Sequence, residues 1–318
     1  VVVGFSSALN DKPKIIFDGN KAYEADNINF YLTDGEILFV EAHANHIQDG
    51  VPKMIYGNKP ADGGNLIIEA NELDEFLRLE PAAQKYIYLY LGADEFIKGK
   101  KRYCLWLEGV PISEIETMPL VAERVDACRQ FRLQSKKAAT RKSAATPALF
   151  QEIRQPTHNY ILIPCHSSGV RNYIPMGFIS SKIIVSNANL IVPCATLYHF
   201  GVLTSSIHMA WLRIVGSYLG TSYRYSKDVV YNNFIWCSAS AEDKALIEES
   251  AQKILDVRKE YSDKTLAWLY DENTMPLELR KAHQANDKEV MKAYNFDLNM
   301  TEAEIVAELM KMCESSPD

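Results

Sequence analysis

Strand-forming and helix-forming segments occupy different parts of this 318-residue sequence. Between residues 160 and 192, short runs rich in β-branched and aromatic side chains, such as Tyr160–Pro164 and 190–192, alternate with turn residues. Further on, 240–243 and 301–304 are helix-capping signatures, each followed by apolar positions at helical spacing. This order predicts an α+β fold: a mixed α/β domain on a twisted, largely antiparallel sheet, followed by a helical C-terminal subdomain.

The part before residue 160 also carries signals for individual elements. Residues 36–41 have the clearest strand pattern between residues 10 and 60, and 101–107 predict another strand. Thr117 and Pro119 are suited to begin a helix, which the apolar spacing extends to about Lys137. Residues 208–215 fit either a strand or a helix. Residues 1–7 resemble a core strand whose partners lie upstream, so we expect this chain to be part of a longer polypeptide.

Charge is distributed unevenly along the chain, although the formal net charge is only −7. Residues 101–237 carry 15 Lys and Arg against 7 Asp and Glu, whereas 1–100 carry 9 against 16 and 238–318 carry 10 against 18. Because binding follows the local field of a surface more than the total charge, the basic middle third favours a nucleic-acid partner. A chance fluctuation on a folded surface is the alternative.

Several other classes of protein are disfavoured by the sequence. No apolar run is long enough to span a membrane, so we expect a cytoplasmic protein with no membrane partner. The six cysteines are scattered and form no CxxC pair, which favours reduced thiols. There is no Walker loop, no GxGxxG, HExxH or GxSxG motif, and no Asn-Pro-Pro-Tyr segment of the kind that holds a flipped base.

Two weaker signals for chemistry do not change this interpretation. Lys98 stands one position too far from Glu95 for the Glu-x-Lys core of a metal-dependent nuclease. His43 and His46 are three residues apart but lack a third ligand for a metal ion. We therefore predict no catalytic residue, no metal ligand and no cofactor in this chain.

A basic run extends over residues 124–142. Cations there are mixed with hydroxyl and amide side chains, which together are the donors that phosphate oxygens accept. The run is therefore a candidate for contacts with a nucleic-acid backbone. A solvated helix face that continues into a flexible linker is the alternative.

Residues 165–172, hereafter the reading segment, lie between two predicted strands. Their sequence is Cys-His-Ser-Ser-Gly-Val-Arg-Asn, and Ser, Arg and Asn side chains can hydrogen-bond to base edges in the major groove. An ordinary hairpin loop would have a similar composition. A third candidate is 223–228, in which aromatic, cationic and hydroxyl side chains could grip a phosphate or, alternatively, pack at a domain seam.

Nine motifs, in order, resemble one known family. They are GNKPADGGNL at 57–66, RYCLWL at 102–107, MPLV at 118–121 with ERV at 123–125, IRQP at 153–156, YIPMG at 173–177, YHFGVLTS at 198–205, RYSKD at 224–228, YNNF at 231–234 and MPLELRKAH at 275–283. They are similar to the C-terminal half of the MmeI-like enzymes, single-chain restriction–modification proteins. No single motif is specific, but together they cover nearly the whole chain.

The resemblance implies a domain organisation and a function. Residues 1–7 would end a methyltransferase domain, 8–215 would form the DNA target-recognition domain, and 216–318 the helical C-terminal domain. The methyltransferase domain of the same polypeptide would use S-adenosylmethionine to methylate adenine N6, with Mg²⁺ serving any nuclease domain. This chain would bind double-stranded DNA. Gly169 and Val170 depart from relatives, which often carry charged residues there, so the base that is read is expected to differ.

The resemblance and the charge pattern together assign candidate contacts. The predicted contacts with the DNA backbone are Lys59, Arg129, Arg132, Lys136, Lys137, Arg141, Lys142, Arg154, Arg224 and Lys227. The predicted base-reading residues are Ser167, Ser168, Gly169, Val170, Arg171 and Asn172. Two other hypotheses remain at this point: a self-contained enzyme with an active site that lacks a known motif, and a scaffold whose acidic helical end, 238–318, binds a partner protein.

Overall fold

The computed structural model describes residues 13–18, 21–29, 31 and 39–314. The core strand predicted at 1–7 lies outside these ranges. Of the strand predicted at 36–41, only 39–41 are described, and for these three residues the prediction is wrong. The backbone of these residues hydrogen-bonds to side chains and not to a neighbouring strand. Val40 N donates to Tyr31 Oη at 2.9 Å, and Glu41 O accepts from Asn233 Nδ2 at 2.8 Å.

Every strand among the described residues lies in the first two thirds or so of the chain, before Tyr225. In the described residues they are β1 (Lys14–Asp18), β2 (Lys21–Ala25), β3 (Ile55–Tyr56), β4 (Ile67–Glu69), β5 (Ile87–Leu91), β6 (Arg102–Leu105), β7 (Tyr160–Pro164), β8 (His166–Ser168), β9 (Gly177–Ile179), β10 (Ile184–Val185), β11 (Asn189–Pro193), β12 (Ser217–Leu219) and β13 (Ser222–Arg224).

These strands form four small sheets. β1 and β2 pair as a hairpin, and two four-stranded sheets have the orders β10-β5-β6-β4 and β3-β11-β7-β9. The fourth sheet has three strands in the order β12-β13-β8. Every pairing between these strands is antiparallel except that of β10 with β5. The prediction of a largely antiparallel sheet structure is confirmed.

Helices flank the sheets and make up most of the last third. In the described residues the α-helices are α1 (Leu73–Leu79), α2 (Ala93–Lys98), α3 (Ile112–Ile115), α4 (Pro119–Leu133), α5 (Ala138–Lys142), α6 (Leu197–Leu203), α7 (Ser206–Val215), α8 (Ala241–Glu260), α9 (Leu266–Leu269), α10 (Leu277–Ala293) and α11 (Glu302–Glu314). Two short 3-10 helices, Pro81–Tyr86 and Ser143–Ala145, and a π-helix, Lys227–Tyr231, complete the helical segments of the described residues. The predicted α+β class, with a helical C-terminal region, is confirmed.

Local hydrogen bonds explain where helices begin and end. Ser240 caps α8, because its Oγ accepts from Asp243 N at 3.1 Å while Asp243 Oδ2 accepts from Ser240 N at 3.0 Å. Helix α4 ends at Leu133, short of the predicted end at Lys137, because Ser135 Oγ accepts from Lys137 N at 3.2 Å and favours a turn. The ambiguous segment 208–215 is helical and belongs to α7.

One large hydrophobic core joins the sheet β3-β11-β7-β9 to the C-terminal helices. Trp211, Phe200 and Phe234 are fully buried within it. Helix α8 packs on both α10 and α6, and α11 packs on α7, so internal contacts occupy the apolar faces of these helices. A second core lies between the sheet β10-β5-β6-β4 and α4. The C-terminal helices and the sheet-bearing part therefore stabilise one another.

Gly201 lies where α6 packs tightly against the C-terminal helices α8 and α10. A Cβ atom at this position would lie 2.6 Å from Ile247 Cγ2 and 2.9 Å from Asn286 Oδ1. The Gly201 carbonyl accepts from Asn286 Nδ2 at 2.8 Å, which holds α6 against α10. Only glycine permits this separation without displacing α8 or α10.

We expect Gly201→Ala to lower the free energy of unfolding by about 1–3 kcal/mol, because the added methyl overpacks the junction. Urea unfolding followed by tryptophan fluorescence measures the change. Ala245→Ser adds one heavy atom on the exposed face of α8 and is the control, with an expected effect below about 0.5 kcal/mol. Equal stability of Gly201→Ala and the wild type would show that the helices tolerate a wider separation.

Candidate nucleic-acid interface

Arg132 is a structural residue in this fold, which corrects its prediction as a contact to the DNA backbone. Its side chain is fully buried, and all five of its N–H donors bond to carbonyl oxygens at 2.7–3.0 Å. The acceptors are Pro60, Ala61, Ser143, Thr146 and Leu149. The guanidinium group thus ties the glycine-rich loop at 57–64 to the segment after α5, and no donor is left for a phosphate.

The exposed cations of the basic run gather at the turn between α4 and α5. Lys136, Lys137, Arg141 and Lys142 are all exposed, and none of the four has a carboxylate within 4.0 Å in the part of the chain that the structure describes. Arg141 Nη1 donates to the carbonyls of Ser135 and Lys136 at 2.8 and 2.9 Å, which brings the two helices' ends together. The turn therefore presents concentrated positive charge to solvent.

Arg129 and Arg124 differ in how far their charge is engaged. Arg129 is half-exposed and has only a distant partner, Asp126, at 3.8 Å. Arg124 donates to the carbonyls of Asn65 and Ile67 at 3.2 and 3.0 Å, so it fastens α4 to β4. Of the two, Arg129 is the one whose charge remains available at the surface.

Lys59 and Arg154 share one acidic partner, Glu152. Lys59 Nζ lies 2.9 Å from Glu152 Oε1, and the Arg154 guanidinium pairs with the other carboxylate oxygen. Arg154 also donates to Gly57 O at 3.0 Å. Both side chains are about one-third exposed and within reach of a ligand. Because both are paired with Glu152, a phosphate would have to compete with that carboxylate. The exposure of both side chains is compatible with their predicted contacts to the DNA backbone. Neither charge is free, however, because both cations pair with Glu152.

The reading segment is part strand and part loop. Its first half forms β8, which pairs with β13 so that His166 faces Arg224 and Ser168 faces Ser222. Gly169 N then donates to Thr221 O at 2.9 Å, and a Cβ on Gly169 would collide with that oxygen. Pairing therefore brings Arg224 beside the reading segment, two candidates that lie more than fifty residues apart in sequence.

The side chains of the reading segment differ in how accessible they are. Ser167 is buried, Ser168 is partly exposed, Asn172 is exposed and Val170 is 66% exposed. Arg171 folds back, with Nη1 donating to Ser167 Oγ at 2.9 Å. Ser167 therefore orients Arg171 and is not itself presented to a base, which corrects its assignment as a reader.

Arg171 is only partly satisfied in this position. Its Nε is buried without a hydrogen-bond partner within the described structure, and burial lowers the pKa of its guanidinium group. The guanidinium group thus has unused donors while still close to the surface. A partner that accepts two hydrogen bonds, as guanine O6 and N7 do, would satisfy it.

Segment 223–228 is divided between packing and surface. Tyr223 and Tyr225 are buried, and the Tyr225 hydroxyl lies 2.7 Å from His208 Nε2 in the core. Arg224 projects to the opposite side of the strand and is exposed. Lys227 is largely buried and pairs with Asp228. The tyrosines follow the packing interpretation, and of the two cations only Arg224 is exposed without an acidic partner among the described residues.

The hairpin β12–β13 was missed by the sequence interpretation. Its tip exposes Tyr218 and Leu219 to 51% and 65%, and Tyr218 lies against Gly169 of the reading segment. The sequence signal was Gly220-Thr221 between two aromatic runs, which is typical of a two-residue hairpin turn. The hairpin adds exposed apolar surface next to Val170.

The buried histidines contribute no positive charge at neutral pH. Burial lowers the pKa of His46 to about 4, and those of His208 and His283 to about 3. His46 Nδ1 accepts from Gln48 N at 2.9 Å, so that nitrogen is already used. Among the described residues, no group of three or more His, Cys, Asp or Glu side chains is placed to hold a metal ion.

These features define a class of protein: an α+β chain in which a small three-stranded sheet and a cation-rich helical turn present donors at the surface. The chain belongs to the MmeI family. Residues 34–238 match the family model for the MmeI target recognition domain, and residues 239–316 match the model for the MmeI C-terminal domain. The two family models meet between residues 238 and 239, whereas the predicted domain boundary is 215/216.

Two relatives extend this assignment. A solved structure of the type IIL restriction–modification enzyme MmeI in complex with DNA has a TM-score of 0.91 and 41% identity, covering 97% of this chain and 42% of that one. DNA methyltransferase A of Bacillus subtilis (strain 168) is 36% identical over 312 residues, 98% of this chain and 35% of that protein. The chain thus spans about a third to two fifths of the length of these relatives. Within the described residues, no helix is long and apolar enough to cross a membrane.

Arg132→Lys should lower the free energy of unfolding by about 3 kcal/mol, because an ammonium group cannot serve five carbonyls and leaves buried acceptors unpaired. Urea unfolding provides the measurement. Arg129→Lys, on the same helix and half-exposed, is the matched control, and its effect should stay within about 0.5 kcal/mol. If the two substitutions cost the same, Arg132 does not hold the loop at 57–64 to the segment after α5.

Proposed function

We propose that this chain is the sequence-reading part of a restriction–modification enzyme that methylates adenine N6 in double-stranded DNA. The chain binds the duplex, distinguishes its base sequence and positions the target adenine for a methyltransferase domain of the same polypeptide. The observation that carries the proposal is the reading segment, whose loop residues Arg171 and Asn172 follow β8 and whose strand β8 pairs with β13, with His166 opposite the exposed Arg224. The similarity to MmeI, solved with DNA, supports the choice of ligand.

The proposed contacts fall into two groups with different roles. Phosphate contacts come from cations that are exposed, namely Arg129, Lys136, Lys137, Arg141, Lys142 and Arg224. Lys59, Arg154 and Lys227 are secondary, since each must first leave an acidic partner. Contacts to phosphates supply affinity and orientation but carry no sequence information directly.

Base reading is assigned to Ser168, Val170, Arg171 and Asn172. Arg171 matches the two acceptors of guanine, and Asn172 matches adenine. Val170 offers an apolar side chain that suits the thymine methyl group, and Gly169 lets the backbone turn close to Thr221. Ser167 acts on the bases only through Arg171.

The chemistry on the base is assigned to parts of the polypeptide outside this chain. The methyltransferase domain would hold S-adenosylmethionine. Any nuclease domain would bind Mg²⁺ and cleave the DNA.

We place the end of the DNA target-recognition domain, hereafter the recognition unit, after the β12–β13 hairpin, because β13 pairs with β8 of the reading segment.

Arg171→Ala should abolish discrimination at one base pair, costing about 1–3 kcal/mol of specificity there while other positions keep theirs. Lys137→Ala should weaken all duplexes alike. Both variants are made in the complete polypeptide, and competition binding compares a site selected from random duplexes with all its single base-pair variants. Identical behaviour of the two variants would refute this division of contacts.

The salt dependence of binding tests the phosphate contacts separately. If the six exposed cations each neutralise a phosphate, log Kd against log salt concentration should change with a slope of magnitude about 5. Lys142→Ala should reduce that magnitude by about 0.9. Lys281→Ala, an exposed lysine on α10, is the matched control and should leave it unchanged. An unaltered slope in Lys142→Ala would remove the end of α5 from the interface.

A further inference from the structure

The chain that leaves the reading segment is held by side chains from distant parts of the sequence. Asn172 O accepts from Arg213 Nη2 at 2.9 Å. Tyr173 Oη donates to Asp287 Oδ2 at 2.7 Å, and Met176 O accepts from Arg258 Nη1 at 2.6 Å. Asp287 and Arg258 belong to the C-terminal helices α10 and α8. Residues 172–176, hereafter the exit limb, are therefore fixed from outside at three successive points.

Asp287 joins the exit limb to the start of α7. Its Oδ1 accepts from Ser206 N at 2.7 Å, so both carboxylate oxygens are occupied by donors from the recognition unit. The Tyr173 ring also stacks on His283 of α10, with the ring centroids 4.1 Å apart and the planes 20° from parallel. Tyr173 is thus held in position through both its ring and its hydroxyl.

Arg213, near the end of α7, connects three further parts of the molecule. Besides Asn172 O, its guanidinium group donates to Tyr223 Oη on β13 at 3.2 Å and pairs with Glu302 at the start of α11. One side chain therefore links the strand next to β8, the exit limb and the C-terminal domain. Neither Arg213 nor Asp287 is among the candidate DNA contacts.

The geometry of the reading segment depends on these anchors. Residues 169–176 contain no helix or strand, so the direction of Arg171 is set by the two ends of the loop. One end is fixed by the pairing of β8 with β13, and the other by the exit limb. Bidentate recognition of a base tolerates displacements of only about 0.5 Å, so a mobile exit limb would reduce the discrimination between bases.

We infer that Asp287 and Arg213 are specificity-determining positioning residues, through which the C-terminal helical domain fixes the reading segment against its base pair. This inference rests on the proposed function. It gives the C-terminal domain a part in sequence discrimination without any contact to DNA. The contacts of Asp287 with Tyr173 and Ser206, and of Arg213 with Asn172, are hereafter called the brace. Loss of the brace would reduce discrimination at the base pair read by Arg171 more than it reduces the affinity for DNA as a whole.

Tyr173→Phe removes one hydroxyl and keeps the ring on His283, so it tests the brace with the smallest change. In the complete polypeptide we expect discrimination at the base pair read by Arg171 to fall about fivefold to tenfold, with affinity for unrelated duplexes unchanged. Competition binding with single base-pair variants of the selected site gives both quantities.

Tyr294→Phe is the matched control, because Tyr294 is also buried in the C-terminal region and its hydroxyl donates to Ile235 O at 2.7 Å rather than to the exit limb. It should lower stability to a comparable extent while leaving discrimination unchanged. A loss of discrimination in both variants, or in neither, would overturn the inference, since stability alone would then account for the effect or no coupling would exist.

A double substitution separates the brace from the proposed function. Once Arg171→Ala has removed the reader, Tyr173→Phe should cause no further loss of discrimination at that base pair. Additive losses would contradict the inference but leave sequence reading intact. A wild-type polypeptide that binds every duplex alike would instead overturn the proposed function, and the brace with it.

Discussion

Burial of helix α7 is the constraint on which the rest of the structure depends. Trp211 is fully buried in this helix, and its indole nitrogen donates to Val230 O at 2.9 Å. The helix packs against α6, α10 and α11, so it joins the sheet-bearing part to the C-terminal helices. Ser206 begins this helix and donates to Asp287, which bonds to Tyr173 of the exit limb, while Arg213 near the other end donates to Asn172 O. The position of the reading segment therefore follows from packing in the core.

Charge in this protein serves two purposes that composition does not separate. Arg132 and Arg124 hold loops together through backbone carbonyls, and Lys59 and Arg154 share Glu152. The cations at the α4–α5 turn, by contrast, remain exposed. A chain with an overall negative charge can still attract DNA to one surface, because the field near that surface depends on the cations that are not neutralised locally.

The fold class and the main helices could be predicted because their signals are local. The capping pair Ser240 and Asp243 and the apolar run of β7 need no knowledge of the rest of the chain. The strand character of 166–168 could not be predicted, since three residues carry little pattern and their partner β13 is distant in sequence. For the same reason, a buried Arg132 and an exposed Lys136 look alike in a basic run, because burial is decided by the carbonyls that surround the side chain.

The structure of the complete polypeptide bound to a duplex that contains its selected site would show whether the reading segment contacts the bases. We expect the reading segment in the major groove, with Arg171 or Asn172 about 3 Å from base-edge acceptors or donors and the α4–α5 turn along the phosphates. A complex in which residues 168–172 face solvent, or in which another surface of this chain meets the bases, would contradict this expectation.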